Sequence, residues 1–308
     1  MKYWLSAFRL RTLPLAVSSI IVGSALARFA QNCWDTYKYS DVVLILALIT
    51  SILLQILSNL ANDLGDHQHG TDNADRIGPE RAVQSGAISP AAMKRAMIVC
   101  GGLAFASGCA LITTASGLSI TTLVFLLIGL AAIGAAVKYT FGSNPYGYAG
   151  LGDISVFLFF GIVGVCGTFY LHTGTLEWPV FLPAIAFGCL SAGVLNVNNM
   201  RDIHNDAASG KRTLVVRMGS AQAKAYHTSL IAVAVGCLLA FILLFDGTWL
   251  VNGSRMLWIS LLTVPVLAMH LKRVWQITDP RALDPQLKVL AMGTFITALT
   301  FSLGLVLA

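Results

Sequence analysis

"VVLILALITSILLQILSNLANDLGDHQHGTDNADRIGPER", residues 42–81, begins as a run that dissolves in hydrocarbon and ends as one that cannot. Residues 42–57 carry no charge, whereas residues 59–81 hold four aspartates, Asp63, Asp66, Asp72 and Asp75. Carboxylates beside a membrane cost free energy unless something positive accompanies them. The chain as a whole is basic, with a formal net charge of +6. The first half of this stretch sets the fold, and the second half poses the functional question.

The apolar half recurs along the chain. Of 308 residues, 56% are hydrophobic and 11% charged, against about 25% charged in soluble domains. The mean hydropathy is +0.75. A helix needs about 20 mainly apolar residues to cross the hydrocarbon. Nine runs qualify: 13–31, 42–62, 95–114, 118–138, 153–172, 179–199, 226–245, 256–271 and 287–307. Strands of a barrel would be about 10 residues long and would alternate apolar with polar, which these runs do not. The expected fold is an all-α membrane protein with nine transmembrane helices, a single integral-membrane domain over 1–308. The 28 glycines suit closely packed helices, as in "GGLAFASGCA" at 101–110. The first run follows Arg9 and Arg11, contains Pro14 and lacks a small-residue cleavage site, so it is expected to remain as helix one. Of the six cysteines, five fall inside the runs and no C-x-x-C occurs; they read as small apolar side chains.

Seventeen of the 20 lysines and arginines fall on the N-terminus and the connections after runs two, four, six and eight. Only Arg28, Lys38 and Arg255 fall on the other side. Basic residues collect in cytoplasmic loops, which predicts a cytoplasmic N-terminus and a cytoplasmic acidic stretch. The chain is expected to cross its membrane many times.

A second polar stretch, "VLNVNNMRDIHNDAASGKRTLVVRMG" at 194–219, closes run six. Shifting the first stretch by 136 residues places Asn62 on Asn198, Asp66 on Asp202 and Arg76 on Arg212. Each stretch trails basic residues: Arg76 and Arg81 in one, Lys211, Arg212 and Arg217 in the other. This register suggests two four-helix pseudo-repeats plus a ninth helix, with a site where the halves meet.

Asp202-x-x-x-Asp206 and Asp63-x-x-Asp66 each place two carboxylates on one helix face. Facing acidic pairs beside asparagines form an all-oxygen environment of the kind Mg²⁺ or Mn²⁺ prefers. Mg²⁺ takes one or two carboxylates and completes its shell with water and substrate phosphates. Arginines and lysines nearby suit a phosphate ligand. Mg²⁺ holding a diphosphate therefore answers the question of the positive partner. The plain alternative is a set of solvated caps and loop charges, which two stretches in register make harder to sustain.

On these residues the chain resembles the UbiA-type intramembrane aromatic prenyltransferases. The motif N-D-x-x-D-x-x-x-D of that family is matched at Asn62, Asp63 and Asp66, while its last position is Gly70; Asp72, two residues on, is a candidate to take its place. The second motif, D-x-x-x-D, is intact as Asp202 and Asp206. "RLRTLPLAVSSIIVG" at 9–23 and "YTFGSNPYGYAGLGDISVFLFFG" at 139–161 extend the likeness nearly end to end. It is strongest to the branch that prenylates 1,4-dihydroxy-2-naphthoate on the way to menaquinone.

The resemblance implies a Mg²⁺-dependent transferase in the lipid bilayer. It would join a polyprenyl group from polyprenyl diphosphate to 1,4-dihydroxy-2-naphthoate, releasing CO₂ and diphosphate. It implies metal ligation by Asp63, Asp66, Asp72, Asp202 and Asp206. Diphosphate binding would fall to Asn59, Asn62, Arg76, Arg81, Asn198, Lys211 and Arg212, with Lys138 and Tyr139 as catalytic groups, Tyr139 shielding an allyl cation by its ring. Among lesser candidates, His67 and His69 read as solvated loop residues and His204 as a neighbour of the second motif. Asp153 reads as either an N-cap or a substrate contact, and Tyr146 and Tyr148 as interfacial anchors. A nucleic-acid partner is not expected. The rival within the class acts on 4-hydroxybenzoate or homogentisate; the rival outside it is a transporter, against which the clustering of acids at one face counts.

Overall fold

In the computed structural model, which describes residues 2–72, 81–245 and 255–307, three of the membrane helices open on a serine cap. Ser40, Ser89 and Ser119 accept from Val43, Ala92 and Thr122 at the heads of three successive helices, each satisfying a donor that an α-helix leaves open. Among the described residues nine helices are long and apolar enough to cross a membrane. They are span 1 (Lys2–Cys33), span 2 (Asp41–Gln68), span 3 (Pro90–Ser116), span 4 (Ile120–Lys138) and span 5 (Gly152–Thr173), then span 6 (Trp178–Arg201), span 7 (Leu214–Leu244), span 8 (Met256–Gln276) and span 9 (Pro280–Val306). No strand occurs among the described residues.

The helices outrun the apolar runs where it matters. Span 2, expected over 42–62, continues to Gln68, so Asn62, Asp63 and Asp66 sit on its last turns. Span 7 starts at Leu214 instead of 226, with a break at Gly219, where φ is 78°. Span 5 is π-helical over Phe157–Gly167, a widened winding that is uncommon and tends to mark functional regions.

Packing forms one group of six spans and one of three, joined by a smaller apolar cluster of Ile20, Val43, Ala47, Leu111 and Leu171. The largest apolar cluster joins spans 1 and 5 to 9, through residues such as Leu26, Phe169, Phe187, Phe241, Leu267 and Phe301. A second cluster joins spans 2 and 3 with Ala7 and the 82–88 segment, and residues of span 4 rest against it. Helix approach depends on absent side chains. A Cβ at Gly65 would lie 2.4 Å from the Thr140 carbonyl oxygen, and one at Gly161 2.6 Å from that of Ala184. The close crossing at Gly65 fixes the acidic end of span 2 against the chain leaving span 4.

Candidate functional site

The two acidic stretches meet. Asn205 Nδ2 donates to the Thr71 carbonyl at 2.9 Å, tying residues 134 positions apart. Around that tie Asp66, Asp72, Asp202 and Asp206 are paired with nearby basic side chains. Asp66, buried on the last turns of span 2, accepts from Arg81 Nη2 at 2.9 Å and from the Tyr148 hydroxyl at 2.9 Å. Arg81 Nε also lies 3.5 Å from Asp72. Asp206 pairs with Lys211 Nζ at 3.4 Å, and that ammonium stands 5.4 Å from the centre of the Tyr148 ring, within cation–π reach. Tyr148 thus bridges the two stretches.

Asp202 and Asp206 are not one continuous helical face. Span 6 ends at Arg201, Asp202 is the joint, and a short helix Ile203–Ala208 follows. Asp202 is held bidentately by Arg201, Nε to Oδ1 at 2.8 Å and Nη2 to Oδ2 at 2.6 Å. Arg201 Nη2 also donates to Asn198 Oδ1 at 3.1 Å, and Nη1 to Asp284 Oδ1 at 2.6 Å.

Asp63, expected among metal ligands, holds backbone amides. Its two oxygens accept the amides of Ala82 and Val83, each at 3.2 Å. It fastens the segment after the acidic stretch, which in turn delivers Arg81 to Asp66. Asn59, expected at the diphosphate, instead donates to the Phe8 carbonyl and Thr12 Oγ1 at 2.9 and 3.1 Å, holding the bend in span 1. Asn62 accepts from Thr140 Oγ1 at 2.7 Å. Lys138, expected to be catalytic, is exposed and donates to the Ser143 carbonyl. Arg212 is exposed, and its amide donates to the Tyr148 carbonyl at 3.0 Å. Arg76 and Asp75 lie outside the described residues.

Tyr139 lies at the end of span 4, its ring edge-on to Tyr146 with centroids 5.4 Å apart and its hydroxyl against Gly152. Asp153 is buried in the first turn of span 5. Tyr146 donates to the Ala135 carbonyl at 3.0 Å and lies 3.0 Å from Ser155 Oγ, a packing role. Tyr148 departs from its expected place as an anchor and belongs to the site. His69 is also engaged, with Nε2 3.1 Å from the Gly142 carbonyl; His67 and His204 are exposed. Arg201, Thr71 and Asn205 escaped the sequence reading. Arg201 was legible only as a topology charge, although it directly precedes Asp202.

Electrostatics follow from burial. Burial raises the Asp206 pKa to about 6, although Lys211 pulls it down. For Lys211 burial lowers the pKa, but the combined pull of Asp206, Asp66, Tyr148 and Asp202 outweighs it and the ammonium is held above its ordinary value. Burial, then the Asp66 charge, pushes the Tyr148 phenol up, so it acts as a hydrogen-bond donor. Burial, followed by Asp153, does the same for Tyr139.

The donors suit a hard cation. Asp206 Oδ2 and Asn205 Oδ1 are buried without a hydrogen-bond partner, and buried oxygens are seldom left so. Among the described residues no three acidic, histidine or cysteine side chains converge closely enough to hold an ion by themselves. Water and phosphate would complete the shell, which is the habit of Mg²⁺.

Nine candidate spans, with acids paired to basic side chains at the ends of spans 2 and 6, define a multi-pass membrane protein. The chain belongs to the UbiA prenyltransferase family, whose profile matches residues 12–304. It is 43% identical over 307 residues to the 1,4-dihydroxy-2-naphthoate octaprenyltransferase of Haemophilus influenzae, covering 100% of this chain and 96% of that one. It is 45% identical over 306 residues to the Escherichia coli protein of the same description, covering 99% and 95%. Its fold is shared with a UbiA homologue from Aeropyrum pernix, with a TM-score of 0.68, 17% identity, and coverage of 97% of this chain and 98% of that one. A homologue from Archaeoglobus fulgidus, solved bound to DMAPP and Mg²⁺, matches with a TM-score of 0.60 and 16% identity, covering 97% and 99%.

Proposed function

We propose that this chain transfers a polyprenyl group from polyprenyl diphosphate to 1,4-dihydroxy-2-naphthoate, with loss of CO₂ and diphosphate, to give demethylmenaquinol. The observation that carries the reading is the meeting of Asp66, Arg81, Tyr148, Asp206 and Lys211 at the ends of spans 2 and 6. It stands in a chain that aligns over nearly its whole length with relatives of that description.

Asp66, Asp202 and Asp206 are the carboxylates that would hold Mg²⁺, with Asp72 behind Arg81. When bound, Mg²⁺ supplies Lewis-acid neutralisation of the diphosphate as the allylic C–O bond breaks. Arg81 and Lys211, paired with aspartates in the resting site, turn toward phosphate oxygens when the diphosphate arrives, as charge-assisted donors. Tyr148 keeps Asp66 oriented and covers Lys211. The prenyl tail lies among the spans, in contact with lipid. Tyr139 offers an aromatic face to the allyl cation and with Tyr146 excludes water from it. The naphthalene ring attacks the allylic carbon, and its carboxylate leaves as CO₂. The site faces the cytoplasm of a bacterial inner membrane, in line with the bias of basic residues.

The test uses washed membranes containing the protein, Mg²⁺, a polyprenyl diphosphate and carboxyl-labelled 1,4-dihydroxy-2-naphthoate. Released CO₂ and prenylated naphthoquinol are followed, with EDTA and an Asp66→Ala, Asp202→Ala double variant as controls. Mg²⁺-dependent product that the double variant fails to make supports the reading. Turnover of 4-hydroxybenzoate instead would move the protein to another acceptor, and no turnover of any aromatic acceptor by folded protein would reject the enzyme reading.

A further inference from the structure

Asp284 belongs to neither acidic stretch, yet it reaches the site through one guanidinium. Arg201 is 2% exposed, and it is shared between Asp202 and Asp284, both at 2.6 Å. Asp284 lies in the first turns of span 9, where a carboxylate is favoured by the helix dipole. That explains an acid at this position; it does not explain why a buried arginine spends a short charge-assisted bond on it.

The consequence is one of charge. Arg201 gripping Asp202 alone would form a neutral pair and leave that carboxylate with little pull on a cation. A second carboxylate on the same guanidinium leaves the trio with a net charge of −1. We propose that Asp284 is a positioning residue for the cation–diphosphate site: by sharing Arg201 it leaves one negative charge uncompensated beside the site and fixes the direction of Asp202, so that span 9 sets cation affinity without touching the cation. The proposal rests on the reading of Asp202 as a cation-holding group.

The experiment uses the full chain in lipid nanodiscs and Mn²⁺ as the probe. Binding is read from the loss of the free-ion EPR signal, with and without inorganic pyrophosphate. Asp284→Asn weakens Mn²⁺ binding by about tenfold, the scale of removing one nearby charge, and Asp284→Glu restores most of it. In turnover the loss falls on the apparent KM for Mg²⁺ rather than on kcat. The double variant Arg201→Met, Asp284→Asn binds Mn²⁺ more tightly than Asp284→Asn alone, because the guanidinium that would neutralise Asp202 is gone; a merely structural clamp gives the opposite order. Asp284→Asn binding Mn²⁺ as the unaltered chain does, or a double variant weaker than the single one, overturns the proposal. Failure of the underlying reading looks different: the unaltered chain itself would bind no Mn²⁺ saturably, or Asp206→Asn would bind it equally well.

Discussion

The Tyr148 hydroxyl donates to Asp66 Oδ1 at 2.9 Å across 82 residues of chain, and the face of the same ring lies 5.4 Å from Lys211 Nζ. One side chain therefore serves both acidic stretches, by its edge and by its face. Tyr148→Phe keeps the face and removes the edge. A hydrogen bond to a charged group contributes about 1.5–3 kcal/mol, so the KM for prenyl diphosphate should rise by roughly tenfold or more. Tyr148→Ala should cost more, since Lys211 loses its cover. Steady-state kinetics on both variants in nanodiscs checks this; a Phe variant equal to the parent would remove the hydroxyl from the site.

Asp63 and Asp66 are three residues apart and should fail in different ways. Asp63→Asn leaves one of two amides, of Ala82 or Val83, facing an N–H instead of an oxygen. An unmet buried donor costs about 1–3 kcal/mol, so thermal stability should fall while activity persists in the cold. Asp66→Asn removes one partner of a buried ion pair with Arg81, so it too should lower the melting temperature, but it should also lower turnover on the order of a hundredfold even in the cold. Parallel melting and activity curves separate the two.

Asp206 sets an acid limb. Burial raises its folded pKa to about 6 from the ordinary 3.8, against the opposing pull of Lys211. The folded chain thus holds this proton more tightly than the unfolded one. Its stabilising contribution is full below the ordinary value and is lost as pH rises through about 6. Activity runs the other way, because the site needs the carboxylate ionised. The rate should fall as pH drops through this region, the limb should move to lower pH as Mg²⁺ competes with the proton, and Lys211→Met should move it up. A pH–rate profile at two Mg²⁺ concentrations measures all three.

Gly65→Ala should damage the site from behind. The added methyl would stand 2.4 Å from the Thr140 carbonyl oxygen and 2.9 Å from the Phe141 nitrogen, backbone atoms that cannot swing aside. Overpacking of this kind costs about 1–3 kcal/mol. Span 2 must shift away from the chain leaving span 4, breaking the bond from Thr140 to Asn62. The melting temperature and kcat/KM should both fall, whereas Gly70→Ala, with nothing within 4 Å but a φ of +70°, should leave the site's packing intact.

The spans and the two acidic stretches were legible because hydrophobic length and charge are local properties of a sequence. The meeting of the stretches was legible from their matching register. Which companion each carboxylate chose was not. Asp63 turns to amides that exist only once residues 82–83 have folded back. Tyr148 sits among aromatics that read equally well as anchors, and only the approach of the 142–149 loop to span 2 gives it Asp66. Lys138 has the charge for catalysis, but the turn after span 4 offers its ammonium the nearer carbonyl of Ser143. Arg201 touches a residue 83 positions away, a distance over which spacing carries no information.

Span 1 packs along span 9, with Val22, Leu26 and Ala30 in the same apolar cluster as Phe301 and Leu305. The ribosome makes these two helices at opposite ends of its work on this domain. Through most of that interval the inward face of span 1 lacks one of its main neighbours and must be sheltered by lipid or by the insertion machinery. The six-span body closes like a cask, only when the last stave is set.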